Sequence, residues 1–242
     1  MSESLVSLKD VEVSFTSGGF KKTEKQVLRG VSFDIKPGEI LGLAGESGSG
    51  KTTIAKAILK MVDIKSGSME RTTNHPQMIF QDPYGSLNPA YSISWIMQEP
   101  LRMKTKLNAA ERQAKVLEML KEVGLDETYM ERKPGELSGG QRQRICIGTA
   151  LMREPRLLIA DEPVSALDVT VAAQVLALLK RLHEEKGIAI LFISHDLRTM
   201  YNFCDRIMIL KDGRIIEEGA PKDLYKNPQE EYTKLLLKSA GI

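Results

Sequence analysis

Apolar residues near the N-terminus alternate with polar ones: Val11, Val13 and Phe15 fall on one side, and Val31, Phe33 and Ile35 recur two apart. A period of two puts every second side chain on the same face of a strand. The stretch therefore predicts antiparallel β-structure folded about the Gly/Lys-rich turn SGGFKKTEK. The run EILGLAG predicts a short buried strand that leads through a Gly-rich turn into a helix over TTIAKAILKMV. Positions 98–122 repeat at helical spacing and are rich in Lys, Glu, Leu and Met. They mark an α-helical lobe inserted between β-rich ends. RLLIAD and IAILFIS are continuous apolar runs, the pattern of strands covered on both faces of a parallel sheet, and each is followed by a loop and a helix. RIMILKDGRIIEEG predicts a hairpin turning at Asp212 and Gly213, with a short amphipathic helix after it.

Composition narrows the reading without changing it. With 42% hydrophobic residues the 242-residue chain can bury a sizeable core, as one domain or one domain with an inserted lobe. Its 34 basic and 32 acidic residues leave a net charge of +2, so nothing global points to nucleic acid or to an acidic lipid surface. The two cysteines, Cys146 and Cys204, form no CxxC pair and no metal-ligand spacing, and both sit among apolar residues, as reduced core thiols do. No apolar run approaches the roughly 20 residues that span a bilayer, and the start MSESLVSLKD has no signal-like apolar segment. The expectation is a soluble protein at the cytoplasmic face of a membrane, held there by docking to other subunits.

Gly45, Glu46, Ser47, Gly48, Ser49, Gly50, Lys51 and Thr52 fit G-x-x-x-x-G-K-[ST], placed between a strand and a helix that continues with Thr53. The glycines let the backbone curl until successive N–H groups point inward, and the helix adds the positive end of its dipole. Such a loop holds phosphates. Lys51 is expected to reach the β and γ phosphates, and Thr52 to ligate Mg²⁺. Asp161 and Glu162 follow an apolar strand that would deliver both carboxylates to the same edge as this loop. Taken alone the pair reads equally as an exposed turn. Beside the phosphate loop, Asp161 suits Mg²⁺ and Glu162 suits the general base that polarises water.

Leu137, Ser138, Gly139, Gly140 and Gln141 form LSGGQ, which resembles the signature motif of ATP-binding-cassette (ABC) ATPases. Gln81 resembles their Q-loop glutamine, Ser165 to Asp168 the D-loop, and His195 the switch histidine. Phe15 stands where the family stacks an aromatic ring on adenine. The resemblance covers nearly the whole chain. It implies an α/β fold with a P-loop NTPase, RecA-like core, an N-terminal antiparallel β-subdomain and an inserted α-helical subdomain. The boundaries expected are residues 1–82 and 155–242 for the core and about 83–154 for the helical part. It implies that Gln81, Lys51, Glu162 and His195 act in hydrolysis, and that Thr52, Gln81 and Asp161 surround the Mg²⁺. Ser138, Gly139, Gly140 and Gln141, with Asp168, would serve a nucleotide held by a second ABC subunit of the same or a paralogous chain. On residues alone SGG is also a helix-capping turn, and QRQR at 141–144 is a solvated helix start.

QDPYGSLNP at 81–89 closely resembles the Q-loop of ATPases that serve oligopeptide, dipeptide and nickel importers. That likeness implies permease subunits docking beside 81–89 and, indirectly, a solute-binding protein, with no nucleic acid. Asp223-Leu224-Tyr225 and Tyr232-Thr233-Lys234 also resemble that subfamily, whereas Glu230-Glu231 replaces its common His-Pro. The stop at Ile242, without a Cys-bearing extension, leans towards the nickel or metal-chelate type. Other readings are an exporter cassette, a soluble ABC ATPase and a P-loop kinase or GTPase. LSGGQ and His195 argue against the last.

Overall fold

The alternating N-terminal segment forms two long antiparallel strands, β1 (Val6–Ser17) and β2 (Thr23–Ile35), in a computed structural model that describes residues 4–17 and 23–242. Val6 pairs with Ile35, Leu8 with Phe33 and Val11 with Val31, so one face of the ribbon is continuously apolar. Residues 18–22 of the expected turn lie outside the described residues, and Thr23 to Lys25 are already strand. A third strand, β4 (Ser66–Arg71), pairs with the other edge of β1.

The second sheet has six strands in the order β5 (Gln77–Ile79), β6 (Leu157–Asp161), β7 (Ala189–Ile193), β3 (Ile40–Ala44), β8 (Arg206–Lys211) and β9 (Arg214–Gly219). All are parallel except β9, which returns as the hairpin read from Asp212 and Gly213. Both turn residues have positive φ, 48° and 77°, as a two-residue hairpin of right-twisted strands requires. Leu41, Leu43, Ile159, Leu191 and Ile193 pack with β1, β2 and α1 (Lys51–Ile58) on one face. Ile40, Leu158, Ala160, Ile190 and Phe192 face the remaining helices on the other. Every residue of β3, β6 and β7 is buried, which is why these strands read as unbroken apolar runs.

Helices α2 (Pro83–Ser86), α3 (Ile93–Lys104), α4 (Ala109–Glu122) and α5 (Gly139–Leu151) lie in sequence between β5 and β6. They are followed by α6 (Val169–Lys186), α7 (Leu197–Phe203), α8 (Pro221–Lys226) and α9 (Glu231–Ser239). The apolar residues of α3 to α5 join those of α6, α7 and the sheet in one core, so the helical lobe is continuous with the domain it interrupts.

Two helix boundaries depart from the periodicity. The stretch 98–122 is two helices, because Asn108 starts α4 with a capping box: its Oδ1 accepts from Glu111 N–H at 3.0 Å, and Glu111 returns the bond to Asn108 N–H at 2.7 Å. Helix α1 stops at Ile58, where Lys60 takes a left-handed conformation (φ 58°), although the apolar spacing runs on to Val62.

Both cysteines are free, Cys204 buried and Cys146 half-buried. Burial pushes the Cys146 thiol up to about 12 and that of Cys204 higher still. At pH 8 the Cys146 thiolate fraction is then about 10⁻⁴, against roughly a quarter for a free cysteine. Iodoacetamide is expected to label neither in the native protein and both in urea. Rapid native labelling of either would contradict this packing.

Candidate functional site

Parallel register brings three loops to one edge of the sheet. Leu43 pairs with Ile193, and Ile193 with Asp161, so the carboxyl ends of β3, β7 and β6 lie side by side. Loops leaving adjacent parallel strands at such an edge form the crevice where α/β sheets bind ligands.

The loop after β3 is the glycine-rich one. Gly45 has φ 152°, and a Cβ there would meet the Leu210 carbonyl oxygen at 2.2 Å, so only glycine fits. The turn delivers Gly50 to cap α1, whose first turn has no acidic residue to offset the positive helix end. The Ser49 hydroxyl is buried in the loop with no hydrogen-bond partner. Lys51 is also buried, and its ammonium donates to Gly45 O at 2.7 Å and Glu46 O at 2.9 Å, tying the two limbs of the loop together. Burial lowers its pKa, opposed by the charges of Glu162, Asp161 and Glu46.

Thr52 Oγ1 donates to Asp161 Oδ2 at 2.8 Å. Burial holds the Asp161 carboxyl above its ordinary range, eased by the Thr52 hydrogen bond, while Glu162 pushes the same way as burial. Glu162 turns left-handed, with φ 47°, and its N–H donates to Ile193 O at 2.9 Å. A non-glycine residue in that region is strained, and here a sheet hydrogen bond fixes it. The turn aims its carboxylate between two side chains from distant loops. Gln81 Nε2 donates to Oε2 at 3.2 Å, and His195 Nδ1 lies 3.2 Å from Oε1. A carboxylate offers only acceptors, so the His195 proton sits on Nδ1 and leaves Nε2 free on a ring that is 65% exposed. Gln81, Asp161, Glu162 and His195 thus converge beside Thr52.

Phe15 is exposed near the end of β1, pairs with Lys25 and leaves the apolar face to which Val11 and Val13 belong. The adjoining strand β2 packs on the glycine-rich loop: a Cβ on Gly50 would meet Leu28 at 2.9 Å.

LSGGQ lies elsewhere. Ser138 caps α5, accepting from Gln141 N–H at 3.4 Å, and Gln141 Oε1 accepts from Ser138 N–H at 2.9 Å. Gln141 Nε2 also donates to Tyr129 Oη at 2.8 Å, so this amide is spent on the helix start. Ser138 is exposed, and a helix start of this kind leaves N–H groups without a partner inside the helix. A Cβ on Gly140 would meet Val171 Cγ1 at 2.3 Å, which seats the motif on α6, itself capped by Asp168 through Val171 N–H at 3.0 Å. Among the described residues no hydrogen bond joins 138–141 to 45–52.

The expected solvated start at 141–144 is a misreading. Arg142 and Gln143 are buried, and Arg142 Nε donates to Pro134 O at 2.6 Å. The Arg142 guanidinium lies 3.9 Å from the centroid of the Tyr84 ring. That stack fastens the loop after Gln81 to the signature helix. Nothing in either local sequence signals it. Phe80, Tyr84, Tyr91 and Trp95 are exposed, with Tyr91 stacked on Trp95 at 3.8 Å and Arg102 4.1 Å above the Trp95 ring.

The ABC transporter family model matches residues 28–165, more than half of the chain and the span from the strand beside the phosphate loop to the acid pair. The chain belongs to the ABC transporter family. This ABC cassette is 43% identical to the oligopeptide transport ATP-binding protein OppF of Streptococcus pyogenes serotype M1, over 100% of its own length and 83% of that protein. It is 42% identical to the dipeptide transport ATP-binding protein DppF of Haemophilus influenzae, over 90% and 71%. Among solved structures it resembles the dimeric bacterial ABC transporter cassette MJ0796, with TM-score 0.78 and 30% identity over 89% of this chain and 98% of that one. The cassette cbiO1 of Clostridium perfringens, part of the ABC transporter complex cbiONQ, gives TM-score 0.78 at 26% identity over 93% and 91%. The α/β fold with its separate antiparallel sheet is that of ABC cassettes, and the chain is an ATPase.

Proposed function

We propose that this ABC cassette binds and hydrolyses Mg-ATP to drive an importer of peptides. The observation that carries the hydrolytic half is the carboxylate of Glu162, held between Gln81 and His195 beside Thr52 and Asp161. Glu46, Ser47, Gly48, Ser49, Gly50, Lys51, Thr52 and Thr53 cradle the phosphates, and the unpartnered Ser49 hydroxyl suits one of their oxygens. Phe15 offers its exposed ring to the adenine. Glu162 takes the proton of the attacking water, while His195 and Gln81 hold its carboxylate in line.

A divalent cation fits the same edge. Thr52 and Asp161 offer adjacent oxygens, Gln81 stands across Glu162, and Asp161 is a buried carboxylate that a hard cation would keep ionised. Mg²⁺ held there would neutralise phosphate charge. Thr52, Asp161 and, through its carbonyl oxygen, Gln81 are its proposed holders.

Ser138, Gly139 and Gly140 serve the nucleotide of a second ABC subunit, and Gln141 shapes their turn. Asp168 caps the helix beneath them. Support comes from the dimeric MJ0796 cassette, and among the described residues no hydrogen bond joins signature and phosphate loop. Residues 83–154 are proposed as a helical lever, with 1–82 and 155–242 as the catalytic core. The exposed aromatic shelf around Tyr84 and Trp95 receives the permease subunits, because Tyr84 reports their position to the signature helix through Arg142. Among the described residues no helix is long and apolar enough to cross a membrane, so attachment to the cytoplasmic face rests on this docking. Peptide cargo rests on the likeness to OppF and DppF, which also favours transport over a soluble ABC role.

Reconstitution tests the proposal. With permease subunits and a solute-binding protein in vesicles, hydrolysis is expected to rise when peptide is supplied and to stay flat with a nickel chelate. Stimulation by the chelate alone would overturn the cargo, and failure to assemble with any permease would overturn the importer.

A further inference from the structure

The C-terminal helices carry none of the catalytic motifs, yet they touch the phosphate loop and the first turn of the helix that follows His195. At the start of α9, Tyr232 Oη accepts from Glu46 N–H at 3.2 Å, across 186 residues of chain. Among the described residues this is the only partner of that N–H, which belongs to the limb of the phosphate loop whose carbonyl receives Lys51. The Lys211 ammonium lies 4.7 Å from the centroid of the Tyr232 ring and holds it in place. Burial raises the Tyr232 pKa, so the group is a neutral phenol.

The far end of the same helix grips the helix that follows the other loop. Arg198, three residues after His195, donates from Nε to Ala240 O at 2.7 Å and from a terminal nitrogen to Gly241 O at 3.4 Å. From α8, Tyr225 Oη donates to Leu197 O at 2.6 Å, and burial keeps this phenol protonated as well. The first turn of α7, and with it the His195 loop, is therefore held from behind at two points.

We infer that α8 and α9 form a brace that sets the spacing between the phosphate loop and the His195 loop, with Tyr232 a positioning residue for nucleotide and Arg198 one for hydrolysis. The inference rests on the ATPase reading of those loops. It follows from geometry: one helix, Glu231–Ser239, carries the Tyr232 contact in its first turn and the Arg198 contacts just past its last, so each loop is anchored separately to the same rigid element. The two ends act on different steps. Loosening Glu46 affects how well phosphates are held, whereas loosening Leu197 and Arg198 affects how well His195 orients Glu162.

The test is a split between binding and turnover. Tyr232→Phe keeps the ring and its Lys211 contact but removes the acceptor. It is expected to weaken Mg-ATP binding by the purified chain about two- to tenfold, the range of one net hydrogen bond, with kcat of the assembled transporter unchanged at saturating ATP. Arg198→Met keeps the stem and removes the donors. It is expected to lower kcat about two- to tenfold at unchanged KM for ATP, with partial rescue by Arg198→Lys. Thermal melting of each variant separates these effects from loss of fold. If both variants change KM and kcat together in proportion to lost stability, or if neither changes either, the brace is wrong. If the wild-type chain itself fails to bind Mg-ATP, the ATPase reading fails first and separately.

Discussion

Glu162→Gln is expected to lower ATP hydrolysis by at least about 10²-fold while leaving nucleotide bound, because the general base is lost and little else. The geometry makes this a clean substitution. Glutamine fills the same volume, and its amide oxygen can still accept from His195 Nδ1, now at 3.2 Å from Glu162 Oε1. Its amide nitrogen would confront Gln81 Nε2, but Gln81 needs only to turn its own amide to present an oxygen. The backbone bond from residue 162 to Ile193 O is untouched, so the strained turn persists. Melting temperature should therefore barely move while turnover collapses, and ATP should hold two subunits together. Near-wild-type turnover would remove Glu162 from the reaction.

Lys51→Ala is expected to remove nucleotide binding or turnover, with affinity falling on the order of 10²-fold or more as a buried cation facing phosphate is deleted. Two effects combine. The ammonium now ties Gly45 O to Glu46 O, so its loss frees the loop as well as its charge. Lys51→Met keeps the stem packed and removes only the ammonium, so it isolates the electrostatic part. Unchanged ATP affinity together with unchanged turnover in either variant would count against the cradle.

Much of this site was legible because its residues are contiguous or end an apolar run. Residues 45–52 form one uninterrupted pattern, and Asp161 ends, and His195 closely follows, a strand whose every residue is buried. What stayed hidden has physical causes. Strand β4 reads Ser-Gly-Ser-Met-Glu-Arg, an edge with no fully buried residue and hence no apolar period. The break at 105–108 depends on an Asn108 cap that competes with helical spacing running straight through it. Arg142 looked like surface because a charged residue in a polar run usually is. It is buried because Tyr84, 58 positions away, lays its ring against the guanidinium. Tyr232 gave no local sign of reaching Glu46. Contacts made by tertiary folding between single side chains leave no period and no spacing to read.

The composite site is the central claim, and mixed subunits test it most directly. Chains carrying Lys51→Ala and chains carrying Gly139→Asp should each be inactive alone, since one lacks a phosphate loop and the other a signature turn. Mixed in one dimer they place an intact phosphate loop opposite an intact signature, so ATP hydrolysis should return from near zero to about half of the wild-type rate if the two sites act independently. If the mixture stays as inactive as its parts while still dimerising, each chain works on its own nucleotide and the composite site is wrong.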